Sequence, residues 1–160
     1  MTSFTSFPRR RFLVLSGLGL VAGCSTTTVL APTAGATDQT AQALPLVNRL
    51  RQSKGLGSLE LDTPARKAAV IQAVRMAKAG EMKHLIGLGD SFGSRMKRSD
   101  VALPASENIA TGQASVEAAV QAWIDSPKHL HNMLGSYRGL GVAVAKAEDG
   151  RPYWAMVLSG

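Results

Sequence analysis

Cysteine is nearly missing from this chain: Cys24 is the single one in 160 residues. No intrachain disulfide can form, so the fold must rest on its core alone. Histidine is scarce as well, at three residues, and two of them, His129 and His131, crowd into "SPKHLHNML". The apolar run from Phe12 to Ala22 stops well short of the roughly 20 residues that a membrane-spanning helix needs. No internal repeat is present, and the length suits one domain rather than two.

The opening "PRRRFLVLSGLGLVAGC" has a basic start, an apolar stretch and small residues before the cysteine, which is the grammar of an export signal. "VAGC" resembles a bacterial lipobox, so Cys24 is expected to become the acylated first residue of the mature chain and to anchor it in the cell envelope, on the periplasmic side or in the outer membrane. "RRRFL" resembles a twin-arginine export motif, with Pro8 in place of the usual Ser or Thr. Loss of residues 1–23 takes the formal net charge from +7 to +4. The remaining Lys and Arg are scattered, which argues against a nucleic-acid partner.

Residues 24–40, rich in Thr, Ala and Ser, read as a flexible tether, and the domain is taken as 41–160. Leu44, Val47 and Leu50 predict a first helix that ends at "KGLG". A second helix is predicted with Asp62 as N-cap, Pro64 in its first turn, Gly80 as its stop and a small-sided stripe through Val70, Val74 and Ala77. Ile86 to Pro104 reads as an irregular segment whose basic cluster, Arg95, Lys97 and Arg98, is a solvated loop, with contact to anionic headgroups as the other reading. Val116, Ala119, Val120, Trp123 and Ile124 form a full amphipathic stripe. Ser126 and Pro127 start another short helix, and two β-rich runs around "EDGR" form a hairpin. Helices first and paired strands last indicate an α+β fold with an antiparallel sheet.

Residues two apart on a helix differ by about 200°, so His129 and His131 cannot share one small site, and periodicity does not choose between them. His84 and Glu107, the latter in the expected turn "SENIATG", are the natural partners. Two imidazoles and a carboxylate suit a divalent ion, zinc foremost, with a position left for water. Asn108 either supports that site or bonds its own backbone.

"VNRLRQSKGLGSLELDTPARKAAVIQAVRMAKAGEMKH" and "ENIATGQASVEAAVQAWIDSPKHLHNMLGSYRGLGVAVA" resemble, in order, the two halves of a bacterial CAP domain, also called the SCP-like extracellular domain. The resemblance implies a three-layer α-β-α sandwich and a cleft lined by a His and Glu tetrad. It assigns His84, Glu107 and His129 to that cleft and leaves His131 at a variable position. The fourth member, a glutamate after the tryptophan helix in many relatives, has no counterpart: the chain reads Trp123, Ile124, Asp125, Ser126. Asp125 is at best an imperfect substitute.

Three functions follow as expectations. One is a lipid-anchored envelope module that binds a lipid, a metal or a polar ligand without turnover. Another is a metal-dependent hydrolase of peptides or esters, with His84 and His129 as ligands and Glu107 as base. The last is a structural protein whose tetrad is a buried polar network.

Overall fold

A computed structural model describes Met1 and residues 35–160. The signal segment, the lipobox and Cys24 lie outside the described residues. Five strands, β1 (Ala36–Asp38), β2 (Glu60–Leu61), β3 (Ala105–Thr111), β4 (Gly139–Lys146) and β5 (Pro152–Ser159), form one sheet in the order β1-β4-β5-β3. β2 continues the β1 edge of β4 and supplies the sheet's parallel pair; the other pairings are antiparallel.

Side chains alternate across a strand, and β5 shows how that builds two cores. Trp154, Met156 and Leu158 face one side, where α1 (Thr40–Ser53), α4 (Val116–Ile124) and α5 (Pro127–Met133) bring Val47, Val120, Trp123 and Met133. Tyr153, Ala155 and Val157 face the other, where α2 (Thr63–Ala79) and α3 (Phe92–Arg98) bring Ala65, Ala69, Ala73, Met76 and Met96. The result is the expected α-β-α sandwich.

α2 begins and ends as its sequence requires. The Asp62 carboxylate accepts from the Ala65 N–H at 2.6 Å, Pro64 sits in the first turn, and Gly80 takes a left-handed φ of 65° at the stop. Its buried stripe is Ala65, Ala69, Gln72, Ala73 and Met76, while Val70 and Val74 are only partly buried. Alanine, not valine, faces the sheet because the helix lies so close: a Cβ on Gly141 would overlap the backbone of Ala65 and Arg66.

Three expectations need correction. The fold already includes residues before the expected start near Ala41: Ala36, Thr37 and Asp38 pair with Ala145, Val144 and Ala143, and the Asp38 carboxylate accepts from Thr40 N at 2.8 Å. Strand pairing uses backbone groups, so a segment with the composition of a tether can still join a sheet edge. Glu107 and Asn108 lie in β3, not in a turn. The basic cluster lies on α3, which Ser91 caps by accepting from Ser94 N at 3.2 Å, and Arg95 is buried while Lys97 and Arg98 are exposed.

Candidate functional site

β3 is an edge strand, and consecutive residues on it point to opposite helical layers. Glu107 turns toward α3 and Asn108 toward α5. The cleft lies at this edge, where the two layers meet. It has a volume of about 500 Å³ and is lined by Met82, Lys83, His84, Leu85, Ile109 and His129. Hollows of about 670 and 480 Å³ elsewhere are lined by Lys, Glu and Asp but contain no histidine, so the imidazole pair is found here.

His84 lies on the loop between α2 and α3, and buried side chains hold that loop in place. Gln72 Nε2 donates to the carbonyls of Lys83 and His84 at 2.8 and 3.2 Å, and Arg95 Nη2 donates to the His84 carbonyl at 2.9 Å. Arg75 donates to the Ile86 carbonyl at 2.7 Å and to Asp90 at 2.6 Å, while Asp90 also accepts from Ile86 N at 2.9 Å. Burial alone would raise the Asp90 pKa, but the hydrogen bonds from Arg75 and Ile86 and the charges of Arg75 and Arg95 outweigh it and hold the pKa below its ordinary value.

Glu107 is engaged on both oxygens. Arg95 Nη1 donates to Oε2 at 2.6 Å and Nη2 to Oε1 at 3.0 Å, and His84 Nδ1 lies 2.9 Å from Oε1. The two side chains of the ion pair are 4% and 2% exposed. Arg95 is also stacked on Phe92, 5.6 Å from the ring centroid. Arginine only donates, so both carboxylate oxygens are acceptors, and the geometry puts the shared proton on His84 Nδ1. Nε2 is then the ring nitrogen of His84 that remains available.

Asn108 is fully buried and bridges to α5. Its Nδ2 donates to the His129 carbonyl at 3.0 Å, and its Oδ1 accepts from Asn132 Nδ2 at 2.8 Å. It positions the helix turn that carries His129. The His129 ring is half-buried, and its pKa is lowered by that desolvation and then by the charge of His84 across the cleft. His131 is exposed on the same helix, and Asp125 is an exposed C-cap that accepts from Gln121 at 2.8 Å, away from the cleft.

The expected zinc set fits these residues incompletely. Glu107 already holds a cation on both oxygens, which leaves His84 and His129 as donors. Among the described residues no group of three or more His, Cys, Asp and Glu is placed to hold a metal ion. The sequence reading missed Arg95, Gln72 and Arg75, which organise this half of the site. The one readable signal was Ser91, an N-cap residue that marks a helix where a loop was expected.

A sandwich of this topology is shared with a known class of extracellular proteins. The chain belongs to the cysteine-rich secretory protein (CAP) family, whose profile matches residues 44–158, although the matched stretch contains no cysteine. It is 33% identical over 105 residues to the uncharacterized membrane protein YlbC of Bacillus subtilis and 30% identical over 108 residues to the uncharacterized protein YkwD of the same organism. Those stretches cover 64% and 66% of this chain but only 30% and 42% of the relatives. Among solved structures, an outer surface protein from Borrelia burgdorferi shares the fold over 78% of this chain and 96% of its own, with a TM-score of 0.67 and 20% identity. An extracellular SCP-domain protein from Bacillus anthracis matches with a TM-score of 0.66 and 26% identity, over 76% of this chain and 40% of its own.

Proposed function

We propose that this CAP domain is an exported binding module, held in the cell envelope by acylated Cys24, whose His84 and His129 cleft holds a ligand without turning it over. The observation that carries this reading is the hold of Arg95 on Glu107. A general base needs a free lone pair within reach of the proton it removes. Glu107 accepts from Arg95 on both oxygens, and although Oε2 keeps a lone pair, the side chain is 2% exposed and does not line the cleft, so that lone pair is out of reach of water there. The cleft itself joins two imidazoles to the apolar side chains of Met82, Leu85 and Ile109. That lining suits an amphiphile, a lipid or another envelope molecule with a polar head.

The second reading, a metal-dependent hydrolase, is favoured by one feature: Glu107 backs His84 at Nδ1, the arrangement that orients a metal-ligating imidazole. His84 and His129 would hold the ion, which when bound would act as a Lewis acid. Titrating the purified protein with zinc and with a fluorescent long-chain fatty acid, alongside ester and peptide substrates, separates the readings. The binding module predicts fatty-acid retention that falls at least about tenfold in His129→Ala, with no hydrolysis. Zinc-dependent hydrolysis that disappears in Glu107→Gln would establish the enzyme instead. For the anchor, a Cys24→Ser protein should lose detergent partitioning; unchanged partitioning would argue against lipidation.

A further inference from the structure

The net positive charge of the described chain is concentrated in one helical layer. Residues 63–99, which form α2, the His84 loop and α3, carry eight Lys and Arg against two acids, Glu81 and Asp90. In the rest of residues 35–160, seven basic side chains stand against nine acidic ones. Three of the eight are committed internally: Arg66 to Asp38, Arg75 to Asp90 and Arg95 to Glu107. Lys67, Lys78, Lys97 and Arg98 are exposed and carry no ion pair among the described residues.

The same layer displays apolar side chains to solvent. Ile71, Met82, Leu85 and Leu88 are exposed here, Leu85 at 53% and Leu88 completely; elsewhere in residues 35–160 only Leu61 and Leu103 are comparable. Lys67, Ile71 and Lys78 fall within about 40° of one another on α2, opposite the buried Ala69, Ala73 and Met76. Ile71 shares a shallow recess with Arg98 of α3, so the two helices present adjoining surface. Leu85 and Leu88 sit on the loop that Gln72, Arg75 and Arg95 hold from beneath. Their exposure is therefore built on a fixed mount.

We propose that the α2–α3 layer and its connecting loop dock on an anionic phospholipid surface, with Lys67, Lys78, Lys97 and Arg98 on the headgroups and Leu85 and Leu88 at the acyl boundary. The pairing of basic charge with apolar tips distinguishes this partner. A soluble polyanion or nucleic acid would use the charges but leave the leucines in water, whereas a bilayer receives both. This contact is separate from the Cys24 anchor and shares only Leu85 with the cleft lining. It would turn one face of a tethered domain toward the membrane.

The test uses the chain from residue 24 with Cys24→Ser, which retains the whole sheet and both cores but no acyl chain. Co-sedimentation is measured with vesicles of phosphatidylcholine alone and of phosphatidylcholine mixed with phosphatidylglycerol. The expected result is binding to the mixed vesicles only. It should weaken at least about tenfold in Lys97→Gln/Arg98→Gln, at roughly fivefold per charge, comparably in Leu85→Ser/Leu88→Ser, and severalfold in Leu88→Ser alone, which lies outside the cleft lining, with unchanged melting curves. His129→Ala should bind as the parent does, which separates this surface from the cleft. Undiminished binding in both double variants would overturn the proposal. So would loss in the charge variant alone with equal retention on heparin, which would mark a soluble polyanion as the partner.

Discussion

The two sides of the sheet are built on different principles. The α1/α4/α5 side is filled with large apolar side chains, Trp123, Trp154, Met133 and Leu140 among them. The α2/α3 side is lined with alanine and buries a polar set, Gln72, Arg95, Ser99 and Glu107. Glu107 and Asn108, neighbours in β3, sample both. Glu107 meets a guanidinium on the alanine side, whereas Asn108 ties down α5 on the aromatic side. One side is held by volume, and the other by close backbone approach and paired charge.

Substitutions that cross these principles should have the largest effects. Trp123→Ala on the aromatic side should cost about 3–5 kcal/mol by denaturant unfolding, the usual range for emptying a buried aromatic site. Gly141→Val on the alanine side should cost roughly 3 kcal/mol for the opposite reason, because α2 has nowhere to retreat. If Gly141→Val proved neutral, the close packing that separates the two sides would be wrong. Asn108→Ala should cost about 1–3 kcal/mol, since it leaves the Asn132 amide and the His129 carbonyl without their partner. The same variant should broaden the NMR signals of the His129 ring and leave those of His84 sharp.

A smaller effect comes from pH. The folded His129 pKa lies below 6.5, so between that lowered value and 6.5 the unfolded chain binds more protons. Stability should therefore rise with pH across this window and be lost as pH falls through it. His129→Gln should flatten the slope there. Asp38 and Asp90 are depressed below 3.8 and act at lower pH: their stabilisation is present above that value and lost as pH falls through their folded pKa. The smallest effect belongs to His131→Ala, expected within about 0.5 kcal/mol of the parent and without influence on fatty-acid binding.

The aromatic side was much more legible in the sequence than the alanine side. The spacing of Val116, Ala119, Val120 and Trp123 announces a buried helical stripe, and a chain with two β-rich runs around a turn announces the β4–β5 hairpin. The ends of α2 were equally readable, because Asp62, Pro64 and Gly80 act through local geometry. The buried face of α2 was not, since alanine carries too little hydrophobic contrast to reveal which side is inward. Arg95 was hidden for a different reason. A guanidinium buried by a carboxylate from a strand twelve residues away looks, along the chain, like any surface basic residue. Spacing could not choose between His129 and His131 either; resemblance made that choice. Residue chemistry and the family resemblance both nominated Glu107, and neither indicated that a neighbouring helix would occupy it.

The claim that Glu107 is committed to Arg95 is tested most directly by a double-mutant cycle on the two residues, with stability measured by urea unfolding. Arg95→Met and Glu107→Met should each cost about 3–5 kcal/mol, because each strands a buried charge. The double variant should cost far less than their sum, with a coupling of at least roughly 2 kcal/mol. Additive costs in the double variant would show that the two side chains act independently, and would return Glu107 to the cleft as a free carboxylate.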